Sequence, residues 1–74
     1  MTEKEFIELF ATELDTAVEN LSISTELNSI LEWDSLGRMV VTSWIQDTYE
    51  SEVTIEEITK MKTIKDIMNV IKTN

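Results

Sequence analysis

Cysteine, histidine and proline are absent from this 74-residue chain, and glycine occurs once, at Gly37. Without cysteine the polypeptide has no disulfide, thiolate metal site or thiol nucleophile of its own, and without histidine it lacks the usual general base and the commonest transition-metal ligand. Ser-His-Asp triads and histidine-bound zinc sites are thereby excluded. The near absence of turn residues removes the punctuation that many short strands require, so the expected class is all-α. Basic residues are also scarce, with Lys+Arg 6 against Asp+Glu 15 and a net charge of −9. Such a charge repels nucleic-acid phosphates and anionic lipid surfaces alike. Neither nucleic acid nor a stable membrane contact is expected, and a basic protein surface is the better partner. No uninterrupted apolar run exceeds three residues, as in Met39-Val40-Val41, whereas a membrane-spanning helix needs about 20. The first residues are acidic where a secretory signal would be basic, so the expected location is cytoplasmic. Any reactive chemistry must come from an attached group or from another protein.

The length allows one domain, expected over residues 1–74, with marginal stability. Helix I opens on a capping box of Thr2 and Glu5 and carries Phe6, Ile7, Leu9, Phe10, Leu14 and Val18 at helical spacing, which predicts a helix over about residues 3–19. From 20 to 34 the periodicity dissolves, and Leu21, Ile23, Leu27, Ile30 and Leu31 among Ser, Thr and Asn read as an ordered loop pinned to the core. Loops of that length are commonly functional. Asp34 is the natural N-cap of helix II, with Ser35 as its first residue and apolar positions continuing to Tyr49. A second capping box, Thr54 with Glu57, starts a short helix III ending near Lys60. Thr63 with Asp66 caps a last helix striped by Ile64, Ile67, Met68 and Ile71. Charge is uneven along the chain: residues 1–20 sum to −5, and residues 51–74 to zero.

On a wheel of about 100° per residue, Val41, Trp44, Ile45 and Tyr49 share the arc of helix II that must face the core. Leu36 and Met39 lie nearly opposite, beside Ser43, Asp47 and Glu50, and Val40 sits on the flank. An apolar spot ringed by polar groups on an acidic helix has the composition of a transient protein-binding face. Ser35 stands at the head of that face, where unpaired backbone N–H groups and the positive dipole end favour an added phosphate.

Trp33-Asp34-Ser35-Leu36 resembles the Asp-Ser-Leu attachment motif of the acyl carrier proteins, and the similarity spans nearly the whole chain: its length, its acidity, its helix order and the Met61-Lys62-Thr63-Ile64-Lys65-Asp66 stretch. The resemblance implies an acyl-carrier-like four-helix bundle with a long loop between helices I and II and a short helix III. It further implies a covalent 4′-phosphopantetheine on Ser35, transferred from coenzyme A by a phosphopantetheinyl transferase, whose thiol holds acyl groups as thioesters. The implied protein is a non-catalytic, monomeric carrier working with an acyl-loading ligase or acyltransferase and with a downstream synthase or acyl transferase. Recognition by these enzymes falls to Asp34, Leu36, Met39, Val40 and Asp47, with Asp34 doubling as the helix cap.

Many fatty-acid carriers have acids along helix II where this chain has Gly37, Val40 and Gln46, and Arg38 adds a positive charge near the serine. Steering by helix II is consequently expected to be weaker. Trp33 resembles a subset of stand-alone carriers of dedicated pathways, which points to a specialised acyl or polyketide-like route over general fatty acid biosynthesis; the glycine-rich lead of peptidyl carriers is missing from Leu31-Glu32-Trp33. Ile45, Ile58, Met61, Ile67 and Met68 either form plain core or line a cleft for the acyl chain, and Trp44 is expected in the core. Trp33 either covers the loop or stacks near the arm. A calcium loop is excluded: with Gly37 at its sixth position, Ser43 falls at the twelfth, where a glutamate is required. No metal site is expected. The competing class is an unmodified acidic interaction module that binds a basic partner through Leu36 and Met39.

Overall fold

A computed structural model describes residues 1–72. Among the described residues there are four α-helices, α1 (Glu3–Leu14), α2 (Ser35–Tyr49), α3 (Ile55–Lys60) and α4 (Ile64–Lys72), with 3-10 turns at Val18–Asn20 and Leu27–Ser29. No strand occurs among the described residues, only an isolated antiparallel bridge between Glu26 and Thr63. The all-α, carrier-like bundle expected from the sequence is the architecture observed.

Helix starts follow their caps. Thr2 and Glu5 close a complete capping box on α1, as Thr54 and Glu57 do on α3. The Asp34 carboxylate caps α2. The helix I end is a correction: α1 stops at Leu14, short of residue 19. Asp15 adopts a left-handed conformation, φ 60°, and its N–H together with that of Thr16 turns back onto the Thr12 and Ala11 carbonyls. This Schellman closure is usually built on glycine, but aspartate tolerates the left-handed region better than most residues. Val18 therefore leaves the helical stripe and lies exposed in a 3-10 turn, and Leu9 is exposed as well.

The core is filled by Phe6, Phe10 and Leu14 of α1, Leu27, Ile30 and Trp33 of the loop, Val41, Trp44 and Ile45 of α2, and Ile58, Ile64, Ile67 and Met68 beyond. All five aromatic residues form one ladder: Trp33 to Phe10 at 5.9 Å, Phe10 to Phe6 at 6.3 Å, Phe6 to Trp44 at 5.8 Å and Trp44 edge-on to Tyr49 at 5.8 Å. Helices α1 and α2 run antiparallel, with the Tyr49 hydroxyl beside Met1 Sδ at one end and Leu14 against Gly37 at the other.

The long loop is ordered by α4. The first N–H groups of a helix lack intrahelical acceptors, and here Ile64 and Lys65 donate to the loop carbonyls of Thr25 and Ile23, at 3.2 and 2.9 Å. Leu27 N–H returns a bond to the Lys62 carbonyl at 2.8 Å. Leu27 and Ile30 are buried and Leu21 and Ile23 partly so, whereas Leu31, expected to help pin the loop, is 90% exposed.

Asp66 completes the α4 cap by accepting from Lys62 and Thr63 N–H at 3.0 and 3.1 Å. The bond from Lys62, then that from Thr63, holds its carboxyl below the ordinary aspartate value. A carboxylate with a depressed folded-state pKa contributes stability that is complete above its unfolded value, about 3.9, and is lost as pH falls through the folded one. Asp66→Asn is therefore expected to flatten the acid limb of the stability profile below about pH 4, read by urea unfolding at graded pH. An acid limb unchanged by the substitution would contradict this account.

Candidate functional site

The junction of the loop with α2 is built by close approach. Trp33 is buried against Phe10, and its N–H bonds to the Ile30 carbonyl at 3.0 Å. Asp34 then turns outward, its N–H on the Glu32 carbonyl at 2.9 Å and its Oδ1 accepting from Gly37 N–H at 2.8 Å. A Cβ at Gly37 would collide with the Glu32 carbonyl oxygen and lie 2.8 Å from Leu14 Cδ1. The single glycine is required here by space and not by an unusual backbone angle, since no glycine has positive φ.

Ser35 is the exposed first residue of α2. Its Oγ lies 3.4 Å from Arg38 Nη2, and Arg38 Nη1 reaches the Trp33 carbonyl oxygen at 3.5 Å. A guanidinium has no lone pair to accept a proton, so the neighbour of this hydroxyl is a cation and not a base. The serine presents an accessible oxygen at a helix N-terminus, where phosphate is favourably placed.

The wheel reading of α2 holds. Val41, Trp44 and Ile45 are buried, while Leu36, Met39 and Val40 expose 69%, 59% and 37% of their surface. A groove of about 530 Å³ runs along these three residues and takes in Ser43, Asp47 and Glu13. A second depression, nearer the serine, gathers Glu13 and Asp15 from the end of α1 with Glu32, Asp34, Leu36 and Val40. Helical periodicity alone places the acids of this face on α2 and its cap. The structure adds Glu32 from the preceding turn, and Glu13 and Asp15, which are remote in sequence and brought in by the antiparallel packing of α1. The surplus of acids over residues 1–20 was the available signal, but nothing in the sequence showed which of them faced α2.

Of the proposed cleft residues, Ile45, Ile58 and Ile67 are fully buried and Met68 nearly so, all within one core cluster against which Met61 packs. Trp33 belongs to the covering of the loop and core, not to a surface stack. No group of three or more metal-ligating side chains is found among the described residues, and no helix there is long and apolar enough to cross a membrane.

Gly37→Ala is expected to destabilise the domain by about 1–3 kcal/mol, the range of overpacking costs, even though alanine is the better helix former by about 1 kcal/mol. Leu36→Glu and Met39→Glu should leave thermal stability within about 0.5 kcal/mol, as exposed substitutions usually do. Denaturant unfolding of the three variants side by side checks both halves; a stable G37A or a strongly destabilised L36E would refute the geometry.

Compared with known protein families, residues 4–71 match the family model described as phosphopantetheine attachment site. No match is found among curated proteins or solved structures.

Proposed function

The chain belongs to the phosphopantetheine attachment-site family, whose domains carry covalently attached 4′-phosphopantetheine, and from that premise we propose that it is a single-domain acyl carrier with Ser35 as its attachment residue. The observation that carries this reading is the exposed Ser35 hydroxyl at the N-terminus of α2, capped by Asp34 and headed by an apolar face. The residues fit the group: the oxygen is accessible, the first-turn N–H groups favour a phosphate, and a cation is adjacent. When attached, the group supplies a thiol that can hold an acyl chain as a thioester, the chemistry that a chain without cysteine cannot perform.

Attachment from coenzyme A exchanges the Ser35 O–H bond for an O–P bond, breaks the P–O bond of the pyrophosphate and releases adenosine 3′,5′-bisphosphate. The proton goes to a base of the phosphopantetheinyl transferase, because Arg38 cannot accept it. The transferase, an acyl-loading ligase or acyltransferase, and a downstream synthase or acyl transferase each have to reach the same serine. Leu36, Met39 and Val40 offer them an apolar footing, and Asp34, Asp47, Glu13 and Asp15 favour a basic rim on the enzyme. The chain itself positions and presents, and the chemistry on the acyl group belongs to its partners. The pairing of Trp33 with a non-acidic α2 supports a dedicated acyl or polyketide-like route.

Incubation with coenzyme A and a broad-specificity phosphopantetheinyl transferase is expected to add the mass of one phosphopantetheine to the wild-type chain and nothing to Ser35→Ala. Leu36→Glu should raise the transferase KM several-fold while the fold is retained. Absence of any mass gain, under conditions that modify a control carrier, would favour the unmodified interaction module instead.

A further inference from the structure

We propose that Arg38 is the counter-ion of the phosphodiester at Ser35 and fixes the root of the arm against the first turn of α2. The inference rests on the assignment of Ser35 above. Arg38 donates to Ser35 Oγ and to the Trp33 carbonyl oxygen, at 3.4 and 3.5 Å. Both acceptors are neutral, so a permanent cation is held beside the hydroxyl that is to carry a permanent anion.

A second, independent observation comes from comparing the helices. The first turn of α1 contains Glu3 and Glu5, that of α3 Glu56 and Glu57, and that of α4 Asp66. Helix α2 has no acid in its first turn and carries Arg38 as its fourth residue. Acids are stabilising at the positive end of a helix and cations are not. The carboxylate of the cap itself, Asp34, is engaged with Gly37 N–H. The longest α-helix of the domain thus has a cation within its first four residues set against the single carboxylate of its Asp34 cap, and it is the helix that begins with Ser35.

A phosphodiester on Ser35 corrects both features at once. It adds a negative charge to a first turn that holds no acid, and it gives the planar guanidinium two anionic oxygens suited to paired N–H donation. Modification then acts on the protein as well as on the cargo, because it stabilises the start of α2 and restricts the first bonds of the arm. The arm leaves the surface in a preferred direction set by the Arg38 side chain.

The test compares apo and modified forms of the wild-type chain, Arg38→Gln and Arg38→Lys. Modification should raise the wild-type melting temperature by roughly 2–6 °C, the effect expected of a charge correction at a helix end in a domain of this size. That rise should fall by at least half in Arg38→Gln and be partly restored in Arg38→Lys. The Arg38 side-chain nitrogen resonances should shift on modification of the wild type, and the phosphorus resonance of modified Arg38→Gln should move from the wild-type position toward that of an unstructured phosphopantetheinylated serine peptide, a phosphodiester with no arginine beside it. Apo Arg38→Gln should melt at or slightly above the apo wild type. Equal losses of stability in the apo and modified forms would mark Arg38 as merely structural and overturn the pairing. An identical melting rise and phosphorus shift in wild type and Arg38→Gln would overturn it too. In either case Ser35 would still be modified; a wild-type chain that is never modified at Ser35 would instead bring down the attachment assignment and the pairing with it.

Discussion

Contact between the first turn of α2 and the Glu32 carbonyl, with Leu14 closing in from α1, leaves no room for a Cβ at position 37. The presentation of Ser35 follows from that contact. Because α2 begins hard against the preceding turn, Trp33 is driven inward onto Phe10 while Ser35, two residues later, faces outward. A looser junction would let the serine, its cap and the adjacent arginine sample several arrangements. The aromatic ladder extends the same constraint through the molecule, since Trp33 is tied through Phe10 and Phe6 to Trp44 on α2 itself. The serine is therefore anchored from both sides, by the loop before it and by the helix after it.

Charge is distributed on a different logic from packing. The packed face of α2 needs only volume, and Val41, Trp44 and Ile45 supply it. Its outer face is poor in acids for so acidic a protein, and the nearby negative groups come from α1 and the loop. A cation at the serine, an apolar strip below it and acids along the flank make three zones on one surface. Screening shortens the reach of such charges to about 10 Å at moderate salt, so each zone acts locally.

Much of this was legible in the sequence because it is written in local rules. The Thr2, Thr54, Thr63 and Asp34 caps each specify a helix start within a few residues, and the structure has a helix at each. The exposed and buried faces of α2 follow from its periodicity alone. What failed depended on three dimensions. Asp15 ends α1 through a left-handed residue that carries no glycine signature, so periodicity ran on to Val18. Leu31 is as apolar as its neighbours, but it falls on the outer side of the turn that leads to Trp33. Gly37 reads in sequence only as a missing acid; its steric reason is the Glu32 carbonyl, which becomes visible once the turn is folded. Glu13 and Asp15 join the site through helix packing, for which local sequence holds no marker.

The interior is not uniformly resistant to opening. Ile45, Ile58 and Ile67 are wholly enclosed, so their own side chains fill the space between α2, α3 and α4. Any group entering there has to displace one of these elements. Helix α3 is the least costly, because it spans six residues and contributes one buried residue, Ile58. Its approach to α2 is held by Gln46, whose side-chain amide donates to the Val53 carbonyl at 2.7 Å just ahead of the Thr54 cap. Short elements with few buried contacts are the first to open. Displacing α1 would instead break the aromatic ladder and the Leu14 contact that position Ser35. The architecture thus separates a stiff half, where Ser35 is fixed, from a half that can yield without disturbing it.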